Sequence, residues 1–191
     1  MSQLDPTSQR HLMTIWNSAE RAGRLVDELL NFSRLGRLEI KRDLVPLRDV
    51  VVDARAQVES EAERKFKVDW RIEELSDVVG DRSMLLLVFV NLLSNAIKYS
   101  MNSASPTIRI YQPSSPTEVI VAVADNGIGF DMAYVDKLFG IFQRLHVPGE
   151  FDGIGIGLAN VKTIVTKHGG RVWAEGKPGE GATFYVALPK N

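Results

Sequence analysis

The chain has 191 residues, long enough for one full domain plus an appendage or for two small domains. Its 23 Lys plus Arg and 24 Asp plus Glu leave a formal net charge of −1, which argues against a nucleic-acid partner held mainly by electrostatics. Hydrophobic residues make up 45 % and charged residues 25 %, too apolar for a disordered chain, and the absence of cysteine excludes a disulfide framework, a thiolate metal site and a cysteine nucleophile.

In chain order, residues 5–35 are expected to form one long amphipathic helix. Asp5-Pro6 offers an N-cap followed by proline at the first helical position. Leu12, Ile15, Trp16, Ala19, Ala22, Val26, Leu29 and Leu30 then recur at the period of a single apolar stripe, and Gly36 is the expected stop. A stripe this long needs cover, from the rest of the chain or from a second helix in a dimeric bundle. The bundle is preferred, because the pattern changes abruptly near residue 40. Val45-Pro46-Leu47 reads as a short extended piece, 48–64 as a helix with Val51, Ala54 and Val58 on one side, and 66–72 as an alternating strand. Residues 81–100 read as a very apolar helix. Its run Met84 to Val90 is broken by Asn91 and is too short to cross a bilayer, and no signal-peptide pattern opens the chain. A cytoplasmic protein with no direct membrane contact is therefore expected.

Residues 107–111 and 118–125 read as strands on either side of the turn-rich Gln112-Pro113-Ser114-Ser115-Pro116. Residues 131–153 read as a glycine-punctuated loop with a short helix in it. Residues 156–168 read as a helix with Leu158, Val161, Ile164 and Val165 inward, ended by Gly169-Gly170. Residues 171–175 and 183–188 read as a final hairpin. Helices and strands mix without a regular βαβ repeat, so the expected fold is α+β, a two-layer sandwich preceded by one long helix.

Four segments carry possible chemistry. In Asn91-Leu-Leu-Ser-Asn95-Ala-Ile-Lys98-Tyr99-Ser100, spacings of four and three put Asn91, Asn95 and Lys98 on one helical stripe. Asparagine oxygens are legitimate Mg²⁺ ligands and a lysine is a point charge for phosphates, but both asparagines can equally cap backbone groups at a seam. Asp125-Asn126-Gly127-Ile128-Gly129 ends a strand. It reads as a common turn, or as a carboxylate that accepts from an exocyclic amine beside glycines that let a base approach. Gly153-Ile154-Gly155-Ile156-Gly157-Leu158 opens a helix and offers N–H groups and a positive dipole end to an anion, or a flexible hinge. It fits neither a dinucleotide-binding fingerprint nor a P-loop. In Phe139-Gly140-Ile141-Phe142-Gln143-Arg144-Leu145-His146, the aromatic pair reads as core, while Arg144 can reach a γ-phosphate from a lid. With His11 and His168, His146 makes three scattered histidines, no pattern for zinc.

In this order, within residues 91–158, the four segments closely resemble the N, G1, F and G2 boxes of the ATP-binding catalytic domain of sensor histidine kinases, members of the GHKL ATPase superfamily. Residues 1–40, with Leu29-Leu30-Asn31-Phe32-Ser33-Arg34-Leu35, resemble the second helix of that family's dimerisation and histidine-phosphotransfer hairpin, which leaves 41–191 as the catalytic domain. The wording of 142–146 is most similar to phytochrome-type sensor kinases. The resemblance implies a Bergerat-type sandwich, ATP and Mg²⁺ as cofactors, a response-regulator receiver domain as partner, and a homodimer through the N-terminal helix. It implies Asn95 as the Mg²⁺ ligand with Asn91 assisting, Lys98 on the phosphates and Tyr99 lining the nucleotide pocket. Asp125 would take the adenine amino group, with Gly127 and Gly129 shaping that pocket and Thr183 near the adenine. Arg144 and His146 would act from the lid, and Gly153, Gly155, Gly157 and Leu158 would hold the phosphates at the helix start.

Two departures bear on the reaction. Superfamily members that hydrolyse ATP carry a glutamate general base where this chain has Asn91, and an asparagine cannot take a proton from water at neutral pH. The family's phosphoacceptor histidine sits beside an acidic residue, whereas His11 is followed by Leu12-Met13-Thr14, so the acceptor is expected to be a histidine absent from this chain. Ile154, where the family often has Ser or Thr, is a smaller departure. The expected activity is transfer of the ATP γ-phosphoryl group to histidine, without autophosphorylation of this chain. A catalytically idle nucleotide-binding docking module, a GHKL ATPase and a serine-directed kinase of the same superfamily stand as alternatives.

Overall fold

The structure is a computed structural model that describes residues 5–61, 67–143 and 154–190. The chain divides into two compact units, Met1–Arg37 and Leu38–Asn191. The first is one helix, α1 (Pro6–Arg37). The Asp5 carboxylate caps it, its Oδ1 accepting from Thr7 N–H at 2.9 Å and Ser8 N–H at 3.0 Å, as Asp before Pro should. The helix runs through Gly36, one residue past the expected stop. Its stripe is open, with Ile15 63 % and Trp16 69 % exposed.

The second unit runs β1 (Asp43–Val45), α2 (Leu47–Glu61), β2 (Asp69–Ile72), β3 (Val78–Gly80), α3 (Arg82–Ser100), β4 (Thr107–Tyr111), β5 (Glu118–Asp125), a 3₁₀ helix (Met132–Lys137), α4 (Gly157–Lys167), β6 (Arg171–Lys177) and β7 (Gly181–Pro189). Five strands form one sheet in the order β2-β4-β5-β7-β6. All neighbours are antiparallel except β2 and β4, which are parallel and connected through β3 and α3. The unit is the expected α+β sandwich. The antiparallel ribbon of β1 and β3 was not anticipated in full: three residues, Val78-Val79-Gly80, are too short to show a period. The final hairpin is longer than its sequence suggested, because Gly181 and Ala182 already pair with Lys177 and Gly176.

Strand alternation sorts the sheet into two faces. Ile108, Ile110, Val119, Val121, Val123, Phe184, Val186 and Leu188 point into the core and are buried. They meet Leu85, Phe89, Leu92 and Leu93 of α3 and Val161, Ile164 and Val165 of α4; α2 packs against α3 with Val51, Ala54 and Val58. Leu158 is half-buried rather than inward. α3 has 19 residues and by length and composition is apolar enough to cross a membrane, contrary to the expectation from its broken apolar run. Its apolar side chains are instead the middle of this core. Asp81 caps it, accepting through Oδ1 from Ser83 N–H at 3.0 Å and Met84 N–H at 3.1 Å. On the other face of the sheet Trp173 stacks on Tyr185 with ring centroids 4.8 Å apart and planes 5° from parallel. The Arg171 guanidinium lies 4.3 Å above Trp173. Trp70, on β2, lies under the guanidinium of Arg55 at 5.3 Å.

Candidate functional site

α3 supplies the first wall. Asn91, Asn95 and Lys98 are all half-buried on one stripe of an otherwise apolar helix. Asn91 donates through Nδ2 to the Leu87 carbonyl at 2.8 Å, which fixes the amide so that Oδ1 is the end left to face outward. That oxygen lies against α4: a Cβ on Gly157 would sit 2.6 Å from it. A side chain at 157 would displace the Asn91 amide from this position. Lys98 lies with its ammonium 4.9 Å from the Tyr99 ring centroid.

The second wall is the turn that follows β5. Asp125 is half-buried and accepts at Oδ1 from Gly127 N–H at 2.9 Å. Burial pushes its carboxyl up from an ordinary 3.8 to about 6, against the pull of the Gly127 and Ala182 N–H groups. The turn is locked to the end of α3. The Tyr99 carbonyl accepts from Ile128 N–H at 3.1 Å, and a Cβ on Gly127 would lie 2.4 Å from that same oxygen. Gly129 has φ +60° and packs on the β6–β7 turn, where a Cβ would lie 2.0 Å from the Lys177 carbonyl. Both glycines are needed for close backbone approach.

The third wall is the start of α4. Its N-cap is Ile156, and among the described residues no side chain caps the first turn, in contrast to α3. Those N–H groups are left directed at whatever lies before the helix, with the positive end of its dipole. Gly155, at φ +83°, accepts through its carbonyl from Phe142 N–H at 2.9 Å. Phe142 is itself left-handed, at φ 61°. The Phe-x-x-Phe segment and the glycine loop are thus joined at their bases.

Asn91, Asn95, Lys98, Tyr99, Asp125, Gly127, Gly129, Gly155, Gly157 and Leu158 belong to this group of linked elements. Thr183 is not brought to Asp125. Register pairs Asp125 with Ala182 and Ala124 with Thr183, so the Thr183 side chain lies on the opposite face, beside Glu175. Buried Ala182 takes the place expected for it. Arg144, His146 and Gly153 lie outside the described residues. Sequence reasoning also missed Gly181, where a Cβ would lie 2.0 Å from the Asp125 carbonyl oxygen, and Asn126. The Asn126 amide accepts from Thr107 N–H at 2.9 Å and donates to the Ser105 carbonyl at 2.8 Å, holding the loop after α3. The Gly179-x-Gly181 pair before the last strand was the available signal. Among the described residues no cluster of three or more His, Asp or Glu forms a metal centre. The metal-compatible donors here are neutral amide oxygens, which suit a hard cation shared with phosphate oxygens.

An α+β sandwich with an asparagine helix, a buried carboxylate turn and an uncapped glycine-led helix defines a nucleotide-site class of fold. Residues 80–191 match the family model described as histidine kinase-, DNA gyrase B- and HSP90-like ATPase, and the chain belongs to that family. The phytochrome-like protein Cph1 of Synechocystis sp. is 34 % identical over 86 % of this chain and 22 % of its own length. Cyanobacterial phytochrome B of a Nostoc species is 37 % identical over 97 % of this chain and 25 % of its own length. The chain thus spans about a quarter of the curated relatives it matches. Among solved structures, a mycobacterial sensor histidine kinase, MprB, superposes with TM-score 0.65 at 27 % identity, covering 78 % of this chain and 97 % of that one. Full-length ShkA in complex with AMPPNP superposes with TM-score 0.74 over 98 % of this chain and 40 % of that one; at 23 % identity it speaks to the fold alone.

Proposed function

We propose that this chain is the ATP-binding catalytic part of a sensor histidine kinase, residues 41–191, joined to the second helix of a dimerisation and phosphotransfer domain in residues 1–40. The observation that carries the reading is the mutual locking of the three walls. Tyr99 ties α3 to the Asp125 turn, and the Asn91–Gly157 contact ties α3 to the uncapped start of α4. A base held by Asp125 at one end and phosphates at the other would then bridge groups whose spacing the fold has already fixed, which is what phosphoryl transfer needs from a protein.

In this reading Asp125 accepts from the adenine amino group, and the Tyr99 ring lines the pocket. The α4 N–H groups at Gly157 and Leu158 receive phosphate oxygens, with Gly153 and Gly155 in the loop before them. Lys98 supplies positive charge along the phosphate path. Asn95 would hold Mg²⁺ with Asn91 beside it, and the ion would neutralise the developing phosphate charge. Arg144 and His146 would contact the γ-phosphate from the segment between Phe142 and Gly155. Asn91 cannot act as a base toward water, so the chemistry favoured is transfer rather than hydrolysis. Neither His11 nor His168 suits the acceptor role: both ring nitrogens of His168 are hydrogen-bonded, and His11 has no acidic neighbour; His146 belongs to the lid segment in this reading. The open stripe of α1 supports a homodimer through that helix, a receiver domain of a response regulator is the downstream partner, and the setting is cytoplasmic.

The test is calorimetric titration of Mg-ATP into the wild type, Asp125→Asn and Asn95→Ala. One-to-one binding that both substitutions weaken is expected, with Asn95→Ala losing the Mg²⁺ dependence. A folded wild type that binds no Mg-ATP defeats the reading. Acid-labile phosphate at His11 after incubation with ATP would overturn the assignment of the acceptor.

A further inference from the structure

α4 and α3 are also fastened at the end remote from the candidate site. His168 follows the last turn of α4 and is half-buried. Its Nε2 accepts from the backbone N–H of Asp81 at 3.0 Å, across 87 residues of sequence. Its Nδ1 lies 2.8 Å from the Ile164 carbonyl. A carbonyl can only accept and an amide N–H can only donate, so the ring is the neutral tautomer with its proton on Nδ1. Asp81 is the residue whose carboxylate caps α3, through Ser83 N–H and Met84 N–H, and takes Lys41 N–H at 3.3 Å as well. The imidazole therefore holds the peptide that begins α3. The sequence makes room for it: a Cβ on Gly80 would lie 2.8 Å from His168 Cδ2 and 3.0 Å from Nε2.

We infer that His168 is a positioning residue that sets the axial register of α4 against α3, and through it the spacing of the α4 N-terminus from the asparagine stripe. α4 is short, 11 residues. Its apolar side chains are aliphatic, and aliphatic packing alone fixes separation and angle better than sliding along the axis. Directional contacts fix sliding. The His168–Asp81 bond is such a contact, at the far end; at the site the close approach of Asn91 Oδ1 to Gly157 adds a steric limit. Together they oppose sliding of α4 along its axis. This explains a histidine and a glycine, at 168 and 80, that no nucleotide contact requires.

The functional half of this inference rests on the ATP reading above, so the test has two readouts on the full chain. His168→Phe keeps a ring but removes the acceptor. His168→Gln restores one near the Nε2 position. Gly80→Ala pushes on the same contact from the other side. The first readout is the NMR shifts of the Gly157 amide and the Asn91 side-chain amide, about 16 Å along α4 from the substitution at 1.5 Å per residue. The second is the dissociation constant for Mg-ATP, measured well below the unfolding temperature. His168→Phe and Gly80→Ala are expected to move both amide signals and to weaken Mg-ATP about three- to tenfold, the size of effect usual for a residue that acts on a site without touching the ligand, with His168→Gln close to wild type. A His168→Phe protein that melts lower yet keeps wild-type signals at Gly157 and Asn91 overturns the inference. If the wild type binds no Mg-ATP, the function reading falls, and the amide signals alone decide His168.

Discussion

Replacing Asp125 by Asn should stabilise the protein at neutral pH while it impairs binding. The structure raises the Asp125 carboxyl from 3.8 to about 6, chiefly by burial. Two units at about 1.4 kcal/mol each give about 3 kcal/mol. The sign follows from proton linkage. Between pH 3.8 and about 6 the native state binds more protons at this residue than the unfolded state does. Stability from this residue is therefore full below pH 3.8 and lost as pH rises through about 6. Asparagine imitates the protonated form at every pH. It keeps an oxygen for Gly127 N–H but makes weaker bonds than a carboxylate, which trims the gain. The expected difference is about 1–3 kcal/mol in favour of the variant at pH 7.5, shrinking toward zero near pH 4. Urea unfolding of both proteins at the two pH values, followed by circular dichroism, measures it. A variant less stable at pH 7.5, or a difference that ignores pH, would refute the argument. Weaker Mg-ATP binding by the more stable protein separates loss of a contact from loss of the fold.

Phe89→Ala empties the middle of α3, where the ring is 0 % exposed, and should cost about 3–5 kcal/mol in chemical unfolding. Gly129→Ala places a methyl carbon 2.0 Å from the Lys177 carbonyl at a φ of +60°; loss of more than about 2 kcal/mol is expected, checked by thermal unfolding. Gly157→Ala sets a Cβ 2.6 Å from Asn91 Oδ1 and should weaken Mg-ATP about tenfold or more by calorimetry, with little change in melting temperature.

Most of the architecture was legible because it rests on long periodic segments. α1, α3 and α4 each carry an apolar stripe over three turns or more, and their observed ends fall within two residues of those read from the sequence. β3 and the first residues of β7 were not legible, since pairing there depends on a partner brought in by the fold. The site followed the same rule. Asn91, Asp125 and Gly157 stand in local motifs, and chemistry pointed to each. The exchange of Thr183 for Ala182 is a one-residue matter of register, and register reverses the face of every side chain on a strand. His168 was set aside as one of three scattered histidines, because its partner is the N–H of Asp81, and a backbone donor leaves no mark on the sequence.

The three tryptophans lie in three separate surroundings, which gives the chain its own set of optical reporters. Trp16 stands 69 % exposed on α1 and should emit at long wavelength, as indole does in water. Trp70 lies beneath Arg55, with its indole nitrogen buried. Trp173 is stacked on Tyr185, on the face of the sheet opposite α3 and α4. Variants that keep one tryptophan at a time would follow the helix, the start of the sheet and the last hairpin independently. Assembly through α1 would shift Trp16 to the blue and leave Trp173 unmoved, so pairing of chains and integrity of the sandwich can be read in one cuvette without an added label.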